Sequence, residues 1–230
     1  MTDETTPAQT ALGISVGAAL LRQCGKPTGW IGRLTLWRMN RSHSALTDWG
    51  LTHISIQPHH TILDVGCGGG RTVAKLAALT TTGTIYGVDY SEDSVAASRR
   101  TNRANIDAGR VEIRTGSVSL LPFPSATFDV VTAVETHYYW PSLRDDLREV
   151  LRVLKPGGTL LVIAESYKGG KYDALLRRVE LLEQRGIMKY AHLTVDEHRG
   201  MLSAAGYADV QVVEKYEKGW LCATGCRPNT

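Results

Sequence analysis

The sequence predicts an α/β protein built on a doubly wound, mostly parallel sheet of seven strands. An antiparallel hairpin closes the sheet, and a helical extension precedes it. Three observations predict this class. From Thr61 onward, short apolar and β-branched runs alternate with helical stretches, the pattern of βαβ units. The first run, TILDVGCGGG (61–70), ends in a glycine cluster, as a strand-to-helix turn over a ligand requires. The last two runs, ADVQVVEKY (208–216) and WLCATGC (220–226), flank a Lys-Gly turn and read as an antiparallel pair.

Each element follows in order. Residues 11–57 are expected to be mainly helical, broken at Gly25, Pro27 and Gly29, and they hold Trp30, Trp37 and Trp49. This extension (1–57) precedes the main domain (58–230) and is expected to fold over its ligand; Trp30, Arg33, Trp37, Arg38 and His43 either reach that pocket or belong to a helix that packs its Trp face on the domain. A strand at 61–65 leads to a helix near 70–79. TIYGVD (84–89) is a strand. Ser91 is an N-cap for the next helix, with Glu92 and Asp93 in its first turn. VEIRTG (111–116) and FDVVTAVE (128–135) are strands, the latter apolar on both faces as a central strand is. LRDDLREVLRVL (143–154) is an amphipathic helix stopped by Lys155-Pro156-Gly157-Gly158, and TLLVIAE (159–165) is the fifth strand. One or two helices fall within 173–205. Residues 166–192 follow the fifth strand and suit a second cap.

Composition narrows the function. The 230 residues carry 26 Lys and Arg against 23 Asp and Glu, a net charge of +3, too small a surplus to indicate nucleic acid. Four cysteines, Cys24, Cys67, Cys222 and Cys226, lack metal-ligand spacing and a close His, so free thiols and no metal are expected. ALGISVGAALL (11–21) follows Asp3 and Glu4 rather than a basic segment, which argues against a signal peptide. No run reaches the ~18 apolar residues of a membrane span. A cytoplasmic protein is expected.

In doubly wound sheets, ligands bind beyond the carboxyl ends of the strands. After the first strand stands Gly66-Cys67-Gly68-Gly69-Gly70-Arg71. A dinucleotide fingerprint needs a third glycine where this chain has Arg71. Asp64 would repel a pyrophosphate and suits a positive group, an ammonium or sulfonium. After the second strand comes Asp89, nineteen residues beyond Gly70, placed to bind ribose hydroxyls. Capping the next helix is its other reading, but Ser91 already does that. Tyr90 can cover a purine face. Gly116-Ser117-Val118 follows the third strand, and Glu135-Thr136-His137-Tyr138-Tyr139-Trp140 the fourth.

LDVGCGGG, GVDYS, GSVSLLPF, FDVVTAVE and LREVLRVLKPGGTLLV, in this order over residues 60–165, resemble the motifs of class I S-adenosylmethionine-dependent methyltransferases, and among them the small-molecule enzymes of the type 11 group. The resemblance implies a Rossmann-like sheet, S-adenosyl-L-methionine as cofactor and S-adenosyl-L-homocysteine as product. It implies that Asp64, Gly66, Cys67 and Gly68 line the methionine part and that Asp89 takes the ribose. Tyr90 would pack on adenine, with Ser117 and Val118 at the adenine edge. Glu135 or its carbonyl would approach the ammonium. Ser117 departs from the Asp that many relatives carry there. The reaction would be in-line methyl transfer to a small-molecule acceptor. His137 and Tyr138 are the candidate catalytic groups, with Tyr139 and Glu165 behind them; a pocket-wall role is the alternative for His137. An NAD-dependent oxidoreductase and a non-catalytic cofactor-binding scaffold are the competing functions.

Overall fold

The computed structural model describes residues 44–174, 176, 177 and 193–229. Trp30, Arg33, Trp37, Arg38, His43 and most of the 166–192 segment lie outside the described residues, as do the helical stretches expected before residue 44.

The chain runs α1 (Ser44–Leu51), β1 (Ile62–Val65), α2 (Arg71–Leu79), β2 (Ile85–Asp89), α3 (Glu92–Thr101) and α4 (Arg103–Asp107). It continues with β3 (Val111–Thr115), β4 (Phe128–Val134), α5 (Leu143–Val153), β5 (Leu154–Ala164), α6 (Val195–Ala205), β6 (Ala208–Lys215) and β7 (Trp220–Cys226). The seven strands form one sheet in the order β3-β2-β1-β4-β5-β7-β6. The first five are parallel. β7 pairs antiparallel with both β5 and β6. The chain order reverses between β1 and β4, so the loops leaving those strands part and open a crevice.

Local chemistry explains the elements. All four residues of β1 are buried, because helices cover both faces of a parallel sheet. Ser91 caps α3 by accepting from the Ser94 amide. Thr194 and Glu197 form a reciprocal capping box that starts α6. The hairpin turns at Gly219, with φ of 73°. Lys155-Pro156-Gly157-Gly158 does not separate helix from strand as expected. β5 begins at Leu154, directly after α5, and these residues lie within it at a register shift opposite Phe128–Val130. The Gly157 amide bonds the Arg227 carbonyl at 2.9 Å and the Arg227 amide bonds Gly158 at 2.8 Å, so the C-terminus holds the bulge in the ladder.

The main core lies between α5, α6 and the sheet, around Phe128, Val131, Leu160 and Leu221. α1 packs on the opposite part of the sheet through Leu46 against Leu161, Ile163 and Cys222. This fixes α1 beside the crevice.

Candidate active site

A cavity of about 450 Å³ opens at the carboxyl ends of β1, β2 and β4. The loop after β1 forms its floor. The Gly66 and Cys67 amides both bond the Val88 carbonyl, at 2.8 and 3.0 Å, which folds the chain tightly off the strand. Gly66 takes φ of 73°, and a Cβ there would lie 2.4 Å from Thr136 Oγ1. Only glycine fits this conformation and this gap.

Three acids line the cavity, Asp64, Asp89 and Glu135, and the first two stand beside the glycine loop. Asp64 is 2% exposed. One of its oxygens accepts a 2.6 Å hydrogen bond from Thr132 Oγ1. Burial pushes its carboxyl up to about 7, against the Thr132 bond that lowers it, and the neighbouring Asp89 adds to the rise. Asp89 accepts from the Gly68 amide through Oδ2 and from the Ser91 amide through Oδ1, both at 2.9 Å. Burial raises Asp89 as well, and those two amides oppose it. Each carboxylate oxygen has two lone pairs, so Asp89 keeps acceptor capacity toward the cavity. Tyr90, Ser117 and Val118 stand on the wall beside it. The Ser117 hydroxyl accepts from the Ser119 amide at 3.2 Å. On the far side Tyr139, Trp140 and Pro141 make an apolar wall, and Ser44 and Thr47 of α1 close one flank.

A methyltransferase-domain family matches residues 63–162. The 27-O-demethylrifamycin SV methyltransferase of Amycolatopsis mediterranei is 30% identical over 173 residues, covering 73% of this chain and 61% of that relative. The Haloferax volcanii complex of the Trm112 methyltransferase activator with a methyltransferase superposes with a TM-score of 0.72 at 22% identity, over 86% of this chain and 96% of that one. A SAM-dependent methyltransferase from Aquifex aeolicus gives 0.67 at 19% identity, over 84% and 97%. Residues 63–162 carry a methyltransferase domain, and the chain has the fold of these methyltransferases. It spans about three fifths of the length of the curated relative named above.

The methyltransferase fold brings Asp64, Gly66, Cys67, Gly68, Asp89, Tyr90, Ser117, Val118 and Glu135 to one cavity. Cys67 reaches it by its backbone side. Its thiol turns behind the loop toward Ser98 Oγ at 3.7 Å, and burial with the two acids holds it protonated. Glu135 sits at φ of 57°, a strained conformation for a non-glycine residue. Its Oε1 accepts from the Tyr138 hydroxyl at 2.8 Å and from the Glu165 amide.

His137 and Tyr138 are not among the residues that line the cavity. A 3₁₀ turn at His137–Tyr139 sends Tyr139 and Trp140 to the cavity and buries the other two. His137 Nε2 lies 3.1 Å from His198 Nε2 on α6. His198 Nδ1 lies 2.8 Å from the Thr194 carbonyl. A carbonyl only accepts, so His198 carries its proton on Nδ1 and accepts on Nε2. His137 then donates from Nε2, and its Nδ1 is buried with no partner among the described residues. Burial, and then His198, holds His137 well below the usual histidine range.

Thr132 was not singled out by the sequence, although a threonine inside the apolar run FDVVTAVE is a signal. It stands opposite Asp64 in the β1–β4 register. Among the described residues no group of three or more His, Cys, Asp or Glu suits a metal ion, and no helix is long and apolar enough to cross a membrane.

Proposed function

We propose that the protein is an S-adenosylmethionine-dependent methyltransferase acting on a small-molecule acceptor. The observation that carries this reading is Asp64, a carboxyl almost fully buried at a glycine loop, with a second acid beside it. Two acids on one cavity wall favour a cationic, phosphate-free ligand. They oppose the diphosphate of a dinucleotide, which counts against an NAD enzyme. The cavity volume lies within the ~300–1,000 Å³ of small-molecule sites.

Asp64 would hold the positive end of the cofactor, and Asp89 would accept from its ribose hydroxyls. Because Oε1 of Glu135 already serves Tyr138 and Glu165, the Glu135 main chain is the better partner for the ammonium. Tyr90 and Val118 would flank the adenine, and Ser117 its edge. When bound, S-adenosylmethionine supplies a methyl on a good leaving group, so the protein's task is alignment rather than activation. Tyr139, Trp140 and Pro141 would exclude water and seat an acceptor with apolar surface. His137 is committed to His198 and Tyr138 to Glu135, so a base role for either needs the rim to rearrange. The extension before residue 58 would cap the cavity through Ser44 and Thr47. A cytoplasmic setting suits the buried, unpaired thiols Cys67 and Cys222.

Calorimetry with S-adenosylmethionine, S-adenosylhomocysteine and NAD tests the ligand. Binding of the first two is expected, and binding of NAD alone overturns the reading. Transfer of labelled methyl to a panel of small apolar metabolites tests the reaction. Cofactor binding without transfer across a broad panel would favour the scaffold.

A further inference from the structure

We infer that Asn102, assisted by Ser98, is a positioning residue for the glycine loop, a polar bolt on the back of the cavity floor. Its meaning for cofactor binding rests on the reading just given. Both residues sit at the end of α3 and are fully buried, at 1% and 0% exposure. Asn102 Nδ2 donates to the Gly70 carbonyl at 2.9 Å and to the Ser98 carbonyl at 3.0 Å. Both partners are carbonyls, so a flipped amide would set oxygen against oxygen, and the orientation is fixed.

Two sacrifices show that this side chain is kept for its donors. Asn102 Oδ1 is buried with no partner among the described residues, which is unfavourable. Asn102 also occupies the N-cap of α4, where asparagine is favoured because its oxygen caps the first amides. It makes no such bond. The side chain reaches back to Gly70 instead.

Gly70 is the right place for such a tie. It is the N-cap of α2 at φ of 81°, and its carbonyl also accepts from the Ala74 amide at 3.1 Å. A Cβ at Gly70 would lie 2.4 Å from Ser98 Oγ and 2.5 Å from Asn102 Nδ2, so the loop rests on α3 with no spare room. The Cys67 thiol meets Ser98 Oγ from the same side. In front, the Gly68 amide is held by Asp89. The loop is therefore clamped between Asp89 and Asn102, which belong to one β2–α3 unit. Asn102 itself touches no ligand. It acts through where Gly66–Gly70 point.

The test uses Asn102→Ala, Asn102→Asp and a control, Tyr207→Phe. The control removes a buried hydrogen bond, to the Leu147 carbonyl at 2.9 Å, far from the loop. In the unliganded protein, amide exchange over residues 66–72 is expected to speed up about tenfold in Asn102→Ala and to stay unchanged in Tyr207→Phe. Affinity for S-adenosylhomocysteine should fall about tenfold in Asn102→Ala and not in the control. Asn102→Asp adds a chemical signature. Protonated, it can donate to Gly70; ionised, it faces two carbonyls. Its dissociation constant relative to wild type should therefore recover as pH falls from about 8 to about 6. Unchanged loop exchange and unchanged affinity in Asn102→Ala would overturn the inference. If that variant does not fold, Asn102→Asp gives the same two readouts at about pH 8, where it is ionised and cannot donate to Gly70. If the wild type binds no S-adenosylhomocysteine, the cofactor reading fails, while loop exchange still decides the bolt.

Discussion

Two pairs of buried titratable groups sit on the carboxyl side of the sheet, and they are built in opposite ways. Asp64 and Asp89 carry like charge and line the cavity, and Asp89 adds to the cost of ionising Asp64; among the described residues, Asp64 has one hydroxyl donor, Thr132. His137 and His198 are complementary. One donates, the other accepts, and burial keeps both neutral. The bond between the histidines is made within the fold, with His137 Nδ1 left without a partner among the described residues. The acid pair is left short of positive charge, and a ligand can supply it. The two also tilt stability in opposite directions. Asp64 has a folded pKa above its unfolded one, so the folded state gains protons and stability falls as pH rises from about 4 to about 7. His137 and His198 have folded pKa values below the unfolded value, so stability falls as pH drops below about 6.5.

The sharpest way to break this contrast is Asp64→Asn, which keeps the shape and removes the charge. Affinity for S-adenosylmethionine should drop about 100-fold, or about 3 kcal/mol. Stability near pH 8 should rise by about 1–3 kcal/mol, because a buried charge is gone. Calorimetry and denaturant unfolding read the two together. A loss of stability with intact affinity would show that Asp64 serves the fold, as the histidines do.

The wild-type pH profile comes next. Below about 7 Asp64 is protonated in the unliganded protein, and a bound cation must displace that proton. Affinity should therefore weaken toward tenfold per pH unit on the acid side and level off above 7. Asp64→Asn should flatten most of this slope. The shift at Asp89 would leave the remainder. An equal slope in the variant would assign the proton elsewhere.

His198→Ala should do the reverse of Asp64→Asn. It strands His137 Nε2 as a second unpartnered nitrogen in the core. Stability should fall by about 1–3 kcal/mol, with affinity for S-adenosylhomocysteine within about threefold of wild type. A larger loss of affinity would mean that the pair holds the Glu135–Trp140 rim in its working shape.

The acids were legible in the sequence and the histidines were not, for a physical reason. Asp64 and Asp89 end strands whose apolar runs are contiguous, so the parallel sheet fixes where they point. His137 lies in a turn whose direction is set by remote partners. Trp140 Nε1 ties back to Thr136 Oγ1 at 2.9 Å, and His198 is 61 residues away. The sheet, its hairpin and the Ser91 cap could be read from local pattern. The bulge at Lys155–Gly158 could not, because the C-terminal Arg227 holds it in register. Asn102 carries no local signal in the sequence, since its partner Gly70 is 32 positions back.

The smallest expected effect tests whether charge on the cavity wall matters by place as well as by sign. Ser117 is exposed, and its oxygen already accepts from the Ser119 amide. In Ser117→Asp one carboxylate oxygen can keep that turn, and the other offers an acceptor to the adenine amino group. The added charge is solvated, so it costs little in stability and gains little by attraction. Affinity for S-adenosylmethionine should rise only a few-fold, about 0.5–1 kcal/mol, with no new pH slope near neutrality. Comparison with an inosine-containing analogue separates the two sources of any gain. A hydrogen bond from the amino group is lost when a carbonyl replaces it, and the gain should vanish. A gain that survives the replacement would be simple charge attraction, the property that buried Asp64 has and an exposed acid should lack.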